Sequence, residues 1–181
     1  MEIAASLQAQ LVNNPWPHNA AKVIFLLDTA QRFERQLLQQ WIAQHNDHNV
    51  DNAIVTLDLR DDRKTPNVET LTQALELHPQ SIVAPLRISW LQAERAPDAG
   101  PRLRDVLRGK ERRPPGWLAD RVARLNPERL HLTIGEPGST AELAQRFVNK
   151  TGLSPLAQPE DFAVFVVRQA AVVLDIAERQ L

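Results

Sequence analysis

The stretch most open to a chemical reading is LTIGEPGSTAELAQRF (132–147), where an apolar run meets a turn of two glycines and a proline and then a helix start. An exposed helix N-terminus keeps some affinity for anions, so Gly138, Ser139 and Thr140 form a candidate anion site. The specific phosphate loops fit poorly. A Walker loop needs Gly-x4-Gly-Lys-Ser/Thr, whereas Gly135 and Gly138 are three apart and no lysine follows. A dinucleotide fingerprint needs three glycines, and Pro137 removes one of the amides that would donate. The plain alternative is a strand handing over to a helix, with Ser139 as N-cap and Glu142 as its capping-box partner.

Histidines and carboxylates are the next place to look for catalysis. His131 and Glu136 are five positions apart, and on an extended strand an odd separation sends the side chains to opposite faces, so they are not expected to meet. His45 and His48, with Asp47 and Asp51, sit in the polar run HNDHNVDN, which reads more simply as a solvated linker than as a metal site. His18 and His78 have no carboxylate at that spacing, and no serine sits in a Gly-x-Ser-x-Gly elbow. No catalytic residue, metal site or cofactor motif is therefore assigned.

The basic stretch is the other functional candidate. Between Pro101 and Arg129 there are nine basic residues (Arg102, Arg104, Arg108, Lys110, Arg112, Arg113, Arg121, Arg124 and Arg129) and four acidic ones, a local excess of five positive charges in a chain whose net charge is -1. Such asymmetry can dock the chain on an anionic membrane, a phosphate ester or an acidic protein. A solvated, partly salt-bridged surface is the alternative. The near-neutral total leaves no global field to recruit nucleic acid, which is not expected as a partner.

These residues have to be placed by a fold, and composition limits it. A chain of 181 residues with 43% hydrophobic content suits one domain, and the lack of cysteine excludes disulfides and thiolate chemistry and agrees with a reducing cytoplasm. The start MEIAASLQAQL lacks the basic and apolar regions of a secretory leader, and FAVFVVRQAAVVL (162–174) falls short of the roughly 20 residues of a membrane span.

Apolar runs alternate with helical patterns along the chain. A short helix is expected over 3–12, ended by the prolines of NNPWPH (13–18). KVIFLLD (22–28) reads as a strand buried on both faces, with Asp28 ending it and capping a helix over 29–45 whose inner face carries Phe33, Leu37, Leu38 and Trp41. The same pattern recurs in the strand AIVTLDL (53–59) and the helix VETLTQALEL (68–77), capped by Asn67. SIVAPLRISWL (81–91) is a third strand whose Pro85 predicts an edge position or a bulge. After a basic exposed connection (92–116) come a helix over 117–125, the strand LHLTIG (130–135), a helix over 140–150 and a long final helix from Pro159. This order predicts a three-layer α/β domain: a mostly parallel, Rossmann-like sheet of about four strands flanked by helices.

In this setting, SIVAPLRISWL, the loop ending in ERRPPG, NPERLHLTIGEPGSTAELAQRF and DFAVFVVRQAAVVLDIAERQL occur in that order. The series resembles the N-terminal region of membrane-associated bacterial glycerol-3-phosphate 1-O-acyltransferases of the actinobacterial type. The resemblance covers about residues 81–181, while 1–80 match only loosely. It implies the first acylation of phospholipid synthesis, with acyl-CoA or acyl-carrier protein as donor, at the cytoplasmic face of the cell membrane. The family's His-x4-Asp motif, whose histidine is the general base, has no counterpart in this chain. The chain thus reads as the non-catalytic N-terminal domain of a larger acyltransferase, inactive alone, with the downstream acyltransferase domain as its partner; a natural short protein stays open. Two other classes also stay open: a stand-alone α/β enzyme with a pocket at the strand C-terminal ends gathering Asp28, Arg60, Asp61 and Glu136, and an interaction module using Trp90, Trp117 and the basic stretch.

Overall fold

The computed structural model describes residues 22–29, 31–45, 51–57, 68–91 and 116–181. The expected helix over 3–12, the NNPWPH turn, Asn67 and most of the basic connection lie outside the described residues. Strand β1 (Lys22–Asp28) leads to helix α1 (Arg32–His45), strand β2 (Asp51–Leu57), helix α2 (Glu69–Leu77) and strand β3 (Ile82–Trp90). Then follow helix α3 (Gly116–Leu125), a 3-10 turn (Pro127–Arg129), strand β4 (Leu130–Ile134), the two-residue strand β5 (Gly138–Ser139), helix α4 (Thr140–Thr151) and helix α5 (Pro159–Arg179).

The sheet order is β2-β1-β3-β4, with β5 also pairing β3. β1 runs parallel to β2 and to β3, and β4 and β5 run antiparallel to β3. The α/β class and the long C-terminal helix are as the alternation of elements implies. From β1 the chain moves outward to β2, then crosses back past β1 to β3. Crossovers of one hand in opposite directions put their helices on opposite faces, and α1 and α2 do pack on opposite sides. Val23, Phe25 and Leu27 of β1 join Ala84, Leu86 and Ile88 of β3 under α1 and α3, whereas Ile24, Leu26 and Val83 join residues of α2, α4 and α5. Leu37, Leu38 and Trp41 are the buried face of α1, with Phe33 packed beside them.

Three local expectations are corrected. β2 is an edge strand of the described sheet and Ile54 is 41% exposed, so its apolar run is not buried on both faces. Asp28 does not cap α1. Thr29 does the local turn work, its hydroxyl accepting from the Gln31 amide at 3.2 Å, while Asp28 turns to an ionic partner described below. α2 starts after Val68 with no side-chain cap.

Pro85 lies in the central strand β3, not at an edge. Its carbonyl accepts from the Gly135 amide at 3.0 Å, so the side of Pro85 that lacks an N–H faces the break between β4 and β5. There Leu86 pairs Ile134 and Val83 pairs Gly138, leaving two residues of β3 opposite three of the partner. The extra residue is the bulge that the proline needs: the missing donor coincides with a point where the ladder is already open.

Candidate functional site

In a doubly wound sheet, ligands bind outside the carboxyl ends of the strands where the winding reverses. Here that point lies between β1 and β3, and it is where the buried charge of the described residues collects. Asp28 and Arg87 face each other in register across these strands, on the face covered by α5. The Arg87 guanidinium is 3% exposed; its Nε donates to Asp28 Oδ2 at 2.5 Å, and its Nη1 donates to Asp175 Oδ1 at 2.7 Å and Glu178 Oε2 at 3.0 Å. Burial works against the positive charge. The attraction of Asp28 and the hydrogen bonds from Asp175 and Asp28 outweigh it, so the Arg87 pKa lies above the ordinary arginine value.

Next along the same face, Ser89 and Thr133 are buried with their hydroxyls 2.6 Å apart, and His131 pairs with Ser89 across β3 and β4. His131 Nδ1 is buried without a hydrogen-bond partner, and burial pushes the imidazole pKa below its usual value. On the other face of the sheet, Glu34 is fully buried in the first turn of α1. Its carboxylate accepts from Trp90 Nε1 at 2.9 Å and Thr29 Oγ1 at 3.1 Å, which fixes α1 to the carboxyl ends of β1 and β3.

The residues expected at this end are only partly brought together. Asp28 is here. Arg60 and Asp61 lie outside the described residues. Glu136 is not here: β4 runs against β3, so the chain reaches Glu136 at the amino end of β3, where Gly138 and Ser139 pair with Val83 and Ile82. His131 is the second residue of β4 and Glu136 lies beyond its end, so the two do not form a dyad. Among the described residues no group of three or more His, Cys, Asp or Glu side chains could hold a metal ion. His78 is within 2.5 Å of Lys22 Nζ, and His18 and His48 lie outside the described residues.

The helix start at Gly138, Ser139 and Thr140 is occupied by the protein's own groups. Glu142 N donates to Ser139 Oγ at 3.2 Å and Ser139 N donates to Glu142 Oε2 at 3.4 Å, a complete capping box. Thr140 is buried, and both its amide and its hydroxyl donate to the Ser81 carbonyl at 2.9 Å. Of the basic candidates, Arg102, Arg104, Arg108, Lys110, Arg112 and Arg113 lie outside the described residues. Arg121 and Arg124 are exposed on α3, where Arg124 pairs with Asp120 at 2.9 Å.

An open groove of about 190 Å³ runs between the Gly-Glu-Pro turn, α4 and α5, lined by Pro85, Glu136, Leu143, Arg146, Gln169 and Val173. It lies at the amino end of β3, away from Arg87. No family model matches the chain, and no solved structure matches it. What the site does must therefore be argued from its own chemistry. At the winding reversal, Arg87, Asp28, Glu34, Thr29 and Trp90 all engage partners within the protein, each tying two elements together. Arg87 is the residue that sequence reasoning passed over. Its signal was a single arginine inside an apolar strand, with Asp175 and Glu178 one turn apart on the last helix.

Proposed function

We propose that this chain is the non-catalytic N-terminal domain of a bacterial glycerol-3-phosphate 1-O-acyltransferase, a scaffold for the domain that carries out the acyl transfer. The observation that supports the reading is how the resemblance-bearing segments use their distinctive residues. Arg87 from the strand segment binds Asp175 and Glu178 from the helix segment, and Gly135 from the Gly-Glu-Pro segment lies under Val173 of that helix and against Pro85 of that strand. A side chain built on Gly135 would place its Cβ 2.8 Å from Val173 Cγ2 and 3.1 Å from Pro85 Cγ, so the close approach of strand, turn and helix calls for glycine. These positions carry architecture rather than chemistry, as expected of a domain whose chemistry is performed elsewhere.

On this reading the reaction belongs to an attached domain, with acyl-CoA or acyl-carrier protein as donor and no cofactor in this chain. The setting is the cytoplasmic face of the membrane, held there from outside the bilayer, and no described helix is long and apolar enough to cross it. The basic stretch, in which Arg121 and Arg124 are exposed, is the docking surface for anionic lipid. Two measurements test this. The coding sequence that follows Leu181 is expected to continue in frame into a domain with a His-x4-Asp motif, and a stop codon there overturns the reading. Purified chain with glycerol 3-phosphate and acyl-CoA is expected to give no turnover above a heat-inactivated control; clear turnover overturns it as well. For the docking surface, changing Arg108, Lys110, Arg112 and Arg113 to Ala is expected to abolish most low-salt sedimentation with anionic vesicles.

A further inference from the structure

The groove at the amino end of β3 has no part in the fastening of the last helix. Its floor is apolar and is built from three elements: Val83 and Pro85 of β3, Leu143 of α4 and Val173 of α5. Pro85 has no N–H, and its carbonyl is already taken by the Gly135 amide, so the strand brings little backbone polarity to the groove at this point.

Around this floor stand three polar side chains from three different segments: Glu136 from the turn between β4 and β5, Arg146 from α4 and Gln169 from α5. Among the described residues none of the three has a hydrogen-bond or ion-pair partner. Glu142, which also lines the groove, is committed to the capping box with Ser139. A guanidinium and a carboxylate that line one groove without pairing leave both charges to a ligand carrying the opposite two. Those charges cancel, so the groove is complementary to a zwitterion rather than to an anion or a cation. Size narrows the choice further. A cavity of roughly 150 Å³ takes a six-carbon ring, so about 190 Å³ takes an apolar group of that order with a small polar head.

We propose that this groove binds an apolar α-amino acid, with its carboxylate on Arg146, its ammonium on Glu136 and its side chain over Pro85, Leu143 and Val173. The planar fork of Arg146 matches a carboxylate with two parallel hydrogen bonds. The Gln169 amide is both donor and acceptor and serves either end of the polar head. The site goes beyond the acyltransferase reading and does not depend on it: neither the coding-sequence result nor the vesicle result bears on it. Glu136 and Arg146 are exposed, where each charged contact is worth little. With so small a ligand, Kd should be on the order of 1 mM.

The test uses the whole purified chain and L-leucine. At about ten times that Kd, binding to the folded state alone should raise the thermal midpoint by roughly 3–6 °C. Glycine has both charges without the apolar body, and N-acetyl-L-leucine has the apolar body without the ammonium; each should give a clearly smaller rise at the same concentration. In calorimetric titrations Arg146→Gln and Glu136→Gln are each expected to weaken leucine binding by about three- to tenfold. Glu136→Gln should also remove the preference for leucine over N-acetyl-L-leucine, whereas Arg146→Gln should keep it, a split that general loss of structure would not give. Both side chains are exposed, so the circular dichroism of the variants should match that of the parent. No binding of leucine, equal shifts with leucine and glycine, or equal leucine binding by the parent and both variants overturns the proposal.

Discussion

Replacing Arg87 with methionine should be among the most damaging single changes to this fold. Methionine fills much of the volume of the arginine stem and removes the charge. What is lost then divides by exposure. Asp175 is 55% exposed, and its share of the interaction should be near that of a surface pair, about 0–1 kcal/mol. Glu178 is 24% exposed and falls between the extremes. The Asp28 side chain is 1% exposed and keeps its carboxylate inside the sheet without the cation that offsets it. Removing one partner of such a buried pair costs about 3–5 kcal/mol, so Asp28 should dominate the loss. For a chain of this size each kcal/mol moves the midpoint by roughly 2–4 °C, so Tm should fall by about 6–20 °C. Urea unfolding followed by tryptophan fluorescence reads this directly, because Trp41 and Trp90 are each 3% exposed and report on the core. A double-mutant cycle with Asp28→Asn should show a coupling of about 1–3 kcal/mol, while one with Asp175→Asn should show little. A loss below about 1 kcal/mol for Arg87→Met, or no coupling to Asp28, would refute the claim that this pair holds β1, β3 and α5 together.

Gly135→Ala should destabilise by about 1–3 kcal/mol, the usual cost of overpacking, and adding Val173→Ala should recover part of it, since Val173 Cγ2 is the nearest obstruction; denaturant midpoints of the single and double variants check this. Ser139→Ala should cost about 1 kcal/mol by opening the capping box and leaving the Glu142 amide without its acceptor, seen as a lower thermal midpoint with the fold intact. His131 should make stability fall in mild acid. Its folded pKa is below the unfolded value, so as pH drops below about 6.5 the unfolded chain takes up the proton first, and stability is lost until the folded pKa is reached. His131→Gln should flatten the pH dependence in that window.

The sheet was legible because the strands obey simple rules. β1 is apolar at every position from Val23 to Leu27, which suits a central parallel strand, and Ser139 with Glu142 marks the start of α4 as surely in sequence as in structure. What was less legible depended on neighbours. The apolar run of β2 resembles that of β1, yet the position of β2 at the edge leaves Ile54 exposed, and no local pattern separates the two cases. Pro85 was read as needing an edge or a bulge, and the structure supplies the bulge, in a central strand. The break that accommodates it is made by a strand some fifty residues later in the chain.

The candidate site failed to show itself for a related reason. Arg87 lies 59, 88 and 91 positions from Asp28, Asp175 and Glu178, so the one arginine in an apolar strand looked like an isolated residue until folding supplied its partners. A buried arginine is retained only where carboxylates repay its desolvation. Three carboxylates already take its Nε and Nη1 hydrogen bonds, and on the opposite face Glu34 receives both Trp90 and Thr29. Two observations follow from one cause: the place where a doubly wound sheet usually binds its ligand is here the place where the C-terminal helix and α1 are fastened. A protein that uses its winding reversal to anchor the last helix has directed its strongest electrostatics to holding that helix at a set angle. Outside this network, the described basic residues Arg121 and Arg124 lie exposed on α3.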